Sequence, residues 1–287
     1  TGKQVTIKLD MNGLGTSGGG VSGDALTLSV VQDAYLFKGV ASGTDLAVSA
    51  ISGTYDGNSL YFAQSFPTIV PKLAVSPSGL TQGIQVLYKF SVTAPTLYPL
   101  ALAKVSFIVS TYTPLCATAS CVNAGAASTT VSSFNLYDDS NALFTLATSG
   151  QAYVSYTNAA NGNKMLVNMG VFTGSGFSGA ASGIYIVPAG QTKTFTLRGS
   201  VSNPLTGSNV NTVLVGDSAM VGTYPAAAFT GGINGGSSDA TLSSGPDNAF
   251  IWSDMWDGTP LSTASRWLNG YRLSGLVASD TGTSLSK

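Results

Sequence analysis

Val86-Leu87-Tyr88-Lys89-Phe90-Ser91-Val92 puts Val86, Tyr88, Phe90 and Val92 on one side of an extended chain and Leu87, Lys89 and Ser91 on the other. A period of two is the signature of a β-strand, whereas a helix repeats its apolar face every third and fourth residue. The same alternation returns elsewhere. Val105, Phe107 and Val109 alternate with Lys104, Ser106 and Ile108; Met165, Val167, Met169 and Val171 form a third run; Phe195 and Leu197 sit between Thr194, Thr196 and Arg198. Gly, Pro, Asn and Asp bound these runs, and no segment carries a sustained helical stripe. The expected fold is all-β, built of tandem immunoglobulin-like β-sandwiches.

Composition agrees. The chain has no His, and all 13 of its acidic residues are Asp. Glu favours helices, while the abundant Ser, Thr, Gly, Val and Tyr do not. His and Glu are also the side chains that most often move protons in enzymes, and His is the commonest metal ligand. No enzymatic activity and no cofactor are therefore expected. Only 9% of the 287 residues are charged, against roughly 25% in an average soluble domain. Charge keeps proteins apart and deters strand edges from pairing. A surface this poor in charge suits a protein that packs against its own copies.

Twelve basic residues without a cluster make nucleic acid an unsuitable partner. No apolar run approaches the roughly 20 residues of a membrane helix. The opening Thr1-Gly2-Lys3 reads as a mature, processed product, which with a local Cys116–Cys121 disulfide in CATASC points to an oxidising, extracellular setting at the cell surface. Two Cys without His do not make a zinc site.

Three prolines, Pro67, Pro71 and Pro77, punctuate FPTIVPKLAVSPSG, a linker or edge strand. The expected division is 1–71 as an N-terminal sandwich or partial repeat, 72–276 as the main immunoglobulin-like unit, and 277–287 as a frayed tail. An internal echo supports a partial repeat. Gly2-x-x-Val5-Thr6-Ile7-Lys8-Leu9 resembles Gly190-x-x-Lys193-Thr194-Phe195-Thr196-Leu197, and LTLSVVQDA (26–34) resembles NTVLVGDSA (211–219), in the same order and at nearly the same spacing. On that reading the chain opens inside a unit whose missing strands come from a neighbouring subunit. A self-contained first sandwich is the alternative. Val5, Ile7 and Leu9 are the candidate inward residues of an exchanged or interface strand.

Other motifs carry less. Gly174-Ser175-Gly176-Phe177-Ser178-Gly179 matches a dinucleotide fingerprint but precedes no helix. Asp280-Thr281-Gly282 lacks the second loop that a protease dyad needs. Asp138 and Asp139, followed by Ser140 and Asn141, read as a hairpin turn and as weak calcium candidates, as do Asp254 and Asp257. Trp252, Trp256, Trp267 and Tyr271 gather all 3 Trp near the C-terminus. Such aromatics anchor cores and interfaces or stack on sugars. A lysine isopeptide bond needs a Lys in the core, and the alternation turns Lys89 and Lys104 away from it.

The segments LYKFSVTA, LALAKVSFIVS, VSSFNLYDDSN, VPAGQTKTFTLRGSVS and FIWSDM through NGYRLSGL occur in that order. In this the chain resembles the immunoglobulin-like repeat surface proteins of candidate-phyla (Patescibacteria-type) bacteria, over roughly residues 72–276. The resemblance implies secretion and a cell-surface role, and no catalytic residue. The expected function is a secreted structural subunit that forms a filament or surface layer, with itself as partner. Glycans or other surface proteins are partners in the alternative reading, an adhesin or carbohydrate-binding sandwich.

Overall fold

A computed structural model of the chain describes residues 6, 8, 20–30, 38, 41–45, 55–75, 79–113, 129–141, 153–157, 163–170, 185–217, 249–256, 258, 267–276 and 282–287. Cys116, Cys121, Val5, Ile7, Leu9 and Asp257 lie outside them. The described residues contain strands and no α-helix. None of their segments is a helix long and apolar enough to cross a membrane. The fold is all-β and antiparallel in every strand-to-strand pairing.

The chain divides into two compact units, Thr1–Ala63 and Gln64–Lys287. In the first, β1 (Ala25–Leu26) pairs with β4 (Leu60–Tyr61), and β2 (Ser29–Val30) with β3 (Tyr55–Asp56). Phe62 closes this ladder, accepting from the Gly23 N–H at 2.7 Å and donating to the Asp24 carbonyl at 3.0 Å.

The second unit is built on two sheets. One has the order β5 (Thr68–Val70), β6 (Gly83–Thr93), β12 (Thr192–Ser202) and β8 (Thr130–Tyr137). The other is assembled on β7 (Leu100–Tyr112). Along one edge of β7 lie β10 (Asn163–Gly170) and then β11 (Tyr185–Val187); along the other lie β13 (Asn209–Leu214) and then β14 (Phe250–Ser253). β9 (Tyr153–Thr157) extends β10, β15 (Leu268–Asn269) extends β14, and β16 (Thr283–Ser286) extends β13.

The two sheets meet face to face through the aromatic residues that the alternation singled out. Phe107 lies edge-on to Tyr88 at 5.8 Å and to Phe90 at 6.0 Å, and Phe90 stacks on Phe195 at 5.2 Å. Tyr88, Phe90, Val92, Phe195 and Leu197 are all buried. Such aromatic pairs add about 0.5–1.5 kcal/mol each beyond the area they bury.

Two expectations about the chain's organisation need correction or refinement. The stretch around Pro67 and Pro71 belongs to the second unit, where it supplies β5 at the edge of the four-stranded sheet. Edge placement suits it, because each Pro lacks the N–H that an inner strand would donate. The end of the chain does not fray. β16 pairs with β13, buries Leu285, and Lys287 Nζ reaches the Pro204 carbonyl at 2.7 Å. A single apolar residue among polar ones, placed beside an open strand edge, was enough to order it.

Candidate functional site

β7 reads Leu-Ala-Leu-Ala-Lys-Val-Ser-Phe-Ile-Val-Ser-Thr-Tyr, nearly apolar throughout, as befits a strand covered on both faces. Phe107 faces the four-stranded sheet, so the pleat turns Lys104 and Ser106 to the opposite face. That direction agrees with the alternation. The inference that it leads to solvent does not hold. Lys104 and Ser106 are each 1% exposed, and Ile108 on the same face packs against Leu166, Val215 and Ala249. A Lys is almost never this deeply buried without a specific reason.

The reason lies where β13 hands the edge of β7 to β14. β13 runs with Leu214 opposite Phe107, and the Val215 N–H still reaches the Ser106 carbonyl at 2.9 Å. Asp217 follows two residues later, beyond the last β13–β7 hydrogen bond. There β14 takes the edge, with Ile251 opposite Lys104. Asp217 sits at this splice, buried, and binds the incoming strands. Its Oδ1 accepts the Ala249 N–H at 2.7 Å, and its Oδ2 accepts those of Phe250 at 3.2 Å and Gly270 at 2.7 Å. One carboxylate thus fixes the end of β13, the start of β14 and the end of β15.

The electrostatics follow from burial. Desolvation pushes the Asp217 carboxyl up to about 6, against the pull of three backbone N–H groups and of Lys104. Desolvation brings the Lys104 ammonium down to about 8, with Asp217 opposing. The two groups are neighbours of opposite charge held out of water.

Gly270 shows how tightly the splice is packed. A Cβ there would lie 2.8 Å from Phe250 Cβ and 3.0 Å from Asp217 Oδ2. Trp252 and Trp267 belong to this core, both buried, and Trp252 Nε1 donates to the Asn269 carbonyl at 2.8 Å. Trp256 and Tyr271 are half-buried beside it. Of the four aromatics, therefore, two are structural anchors with no face open to a sugar. Asp254 is buried too, and its Oδ2 accepts the Gln64 N–H at 2.6 Å.

Asp138 and Asp139 form a cluster of another kind. Asp138 Oδ1 accepts from Ser140 N–H and Oγ, and its Oδ2 accepts from the Tyr185 hydroxyl at 3.0 Å. Asp139 meets Lys193 Nζ at 3.1 Å, and Asn141 Oδ1 accepts from Arg198 at 2.9 Å. Burial first, and then the Asp138 hydrogen bond and the two nearby carboxylates, hold the Tyr185 phenol well above its usual range. Calcium requires 6–8 oxygen ligands, whereas both Asp138 oxygens and one of Asp139 already meet donors or a cation. No group of three or more potential metal ligands occurs among the described residues. Asp138-Asp139-Ser140-Asn141 forms a turn, closed by the Asn141 N–H on the Asp138 carbonyl at 3.0 Å.

Among the described residues, the four-stranded sheet has strand edges that no other strand pairs. β5 covers only Ser91 to Thr93 of β6, and Leu73 N–H adds one bond to the Lys89 carbonyl. Along the rest of that edge, and along the outer edge of β8, no strand pairs among the described residues. Ile84 stands there 76% exposed.

Lys104 and Asp217 are the residues that sequence reasoning missed. A signal existed: a lone Lys with three or more apolar or small residues on each side, in a run of strand length, is a buried Lys. Only the register of β13 could supply its partner, 113 positions away.

No family model matches the chain, and no curated protein does. Among solved structures it is similar to AvmM, which catalyzes macrocyclization in alchivemycin A biosynthesis, at 13% identity over 55% of this chain and 79% of that one, with a TM-score of 0.25. So slight a likeness carries no argument about activity.

Proposed function

We propose that this chain is a secreted, non-enzymatic structural subunit that polymerises into an extracellular filament or cell-surface layer. The observation that carries the reading is the edge of β6 and β8 that no strand pairs among the described residues. Natural sheets blunt an exposed edge with charge, Pro or a covering segment. Here the open length of β6 from Gly83 to Tyr88 has no charged residue and no Pro, and shows Ile84 to solvent. An edge of this kind binds an added strand through backbone hydrogen bonds.

In this reading both units are immunoglobulin-like sandwiches, of the kind found in the repeat surface proteins that the sequence resembles. The first is incomplete and is finished by a neighbouring subunit, with Val5, Ile7 and Leu9 as the inward residues of the exchanged strand. Head-to-tail exchange does not close on itself, so it produces a polymer. The oxidising exterior favours a Cys116–Cys121 disulfide. The low charge of the whole chain removes the repulsion that would keep copies apart.

Negative-stain imaging and sedimentation velocity of the purified full-length chain test the proposal. Filaments or sheets that shorten when an excess of a peptide of residues 1–12 is added are the expected result. A monodisperse monomer at high concentration, indifferent to the peptide, overturns it. The alternative is a glycan-binding module. It has lost part of its support, since Trp252 and Trp267 are in the core and only Trp256 and Tyr271 remain partly accessible.

A further inference from the structure

We infer that the seat of β16 is an exchange site, which takes residues 282–287 of a second copy of this chain as well as its own. The seat is a slot between two segments. On one side β13 pairs with β16, from Asn209 opposite Ser286 to Thr212 opposite Thr283. On the other side Gly79 forms a parallel bridge with Ser286, and the Leu80 N–H donates to the Ser286 carbonyl at 2.9 Å. The ladder runs on past β16. The Lys287 N–H donates to the Ser208 carbonyl at 3.0 Å, and the Gly207 N–H to the Lys287 carbonyl at 2.8 Å. Sheets recognise extended peptides in this way, through backbone bonds to an added strand.

The slot also specifies what enters it. Of residues 282–287 only Leu285 is buried, at 1% exposure. Ser284 Oγ accepts from Asn211 Nδ2 at 2.9 Å, and Lys287 Nζ donates to the Pro204 carbonyl at 2.7 Å. Gly282, at φ +74°, lies so close to β13 that a Cβ would stand 2.6 Å from the Thr212 carbonyl oxygen. The slot therefore asks for a Gly, an apolar residue three positions on, and a Lys two beyond that. A second copy meets these demands by identity of sequence.

Three features make the segment exchangeable. Its hold is local, one buried side chain and a short run of backbone bonds, so it opens far more cheaply than the core. Its contacts with β13 start at Gly282 and Thr283, so they are the same whichever copy supplies the preceding chain. A vacated slot demands refilling. Asn209-Val210-Asn211-Thr212 would lose its partners, and this stretch has no charge or Pro to turn another strand away. Swapping an identical element between copies needs no new contact. The tethered strand competes with an effective concentration on the order of millimolar, so exchange grows with protein concentration.

Cross-linking between two marked copies of the full chain tests the inference. Asn211→Cys is made in a chain labelled with heavy nitrogen and Ser284→Cys in an unlabelled one, since these positions face each other across the seat. The copies are mixed at about 1 mM, oxidised and digested. The expected product is a disulfide-linked peptide with a heavy half from position 211 and a light half from position 284. It is absent when the copies are oxidised apart and mixed afterwards, and Leu285→Asp in the light copy removes it. A dilute chain carrying both cysteines links internally, which shows its own strand seated. Internal linkage with no mixed peptide overturns the inference, and so does a failure of both. A mixed peptide that survives Leu285→Asp overturns it too, as a product of collision. The N-terminal peptide experiment reads a different strand. Polymers without the mixed peptide refute exchange of β16 and leave the polymer reading standing, whereas a mixed peptide from closed dimers does the reverse.

Discussion

Asp217 Oδ2 accepts the Gly270 N–H at 2.7 Å, joining a residue just beyond β13 to one just beyond β15 across 53 positions of sequence. The same carboxylate holds the N–H of Phe250, the first residue of β14, and that of Ala249 before it. Removing it leaves three buried N–H groups without their acceptor and takes away an opposite charge that Lys104 feels. Asp217→Ala is expected to lower the unfolding free energy by about 3–5 kcal/mol, measured by urea or guanidinium titration. Asp217→Asn keeps an acceptor oxygen and should lose less. Equal stability of wild type and Asp217→Ala would show that the splice is not held by this side chain.

The titration of Lys104 and Asp217 sets an unusual pH profile. The folded state raises Asp217 from 3.8 to about 6. Its contribution to stability is therefore greatest below pH 4 and is lost as pH rises through 6. The folded state lowers Lys104 from 10.5 to about 8. Its contribution is present above pH 10 and is lost as pH falls through 8. The contribution of the pair is thus lowest between about pH 6 and 8, with a slope of up to about 1.4 kcal/mol per pH unit on either side. Comparing wild type with Lys104→Met by denaturant titration from pH 4 to 10 isolates these limbs.

Gly275 adopts φ +84°, and a Cβ there would overlap the Ile69 carbonyl. The close approach is needed because the neighbouring Ser274 carbonyl accepts the Ile69 N–H at 2.9 Å. Gly275→Ala should cost about 2–3 kcal/mol through strain and lost pairing. An unchanged melting temperature would mean that β5 moves aside without penalty.

Exchange of the N-terminal strand predicts a contrast between neighbours. Each apolar side chain buried in an interface contributes about 1.5–3 kcal/mol before ordering costs. Ile7→Asp should therefore reduce the sedimenting fraction strongly, and Lys8→Ser should leave it nearly intact. Equal polymer yields from both variants would count against a role for this strand.

Asp138 and Asp139 are already committed to Ser140, Tyr185 and Lys193. Dialysis against a chelator is expected to leave the melting temperature unchanged, and added calcium should not raise it. A clear calcium-dependent rise would require ligands beyond these two carboxylates.

Much of this architecture could be read from local pattern. Alternation puts Tyr88 with Phe90, and Phe107 and Phe195, on one face of their strands, because a strand's side chains alternate in direction regardless of what surrounds it; the structure buries all four. The turn at Asp138-Asp139 was legible for the same reason: its hydrogen bonds close within three residues. Lys104 shows where such reading stops. Its direction followed from alternation, but its burial depends on what covers the second face of β7, and that is supplied by Val215 and Ala249 from distant parts of the chain. By sequence Asp217 is only one letter of the NTVLVGDSA echo, and Leu285 lies in a segment expected to fray. Each acquired its role from a strand edge that another segment left open. Local periodicity reports which way a side chain points, because that is a property of the backbone beneath it. What it meets there depends on register between segments far apart in sequence, which is settled only when the sheets close.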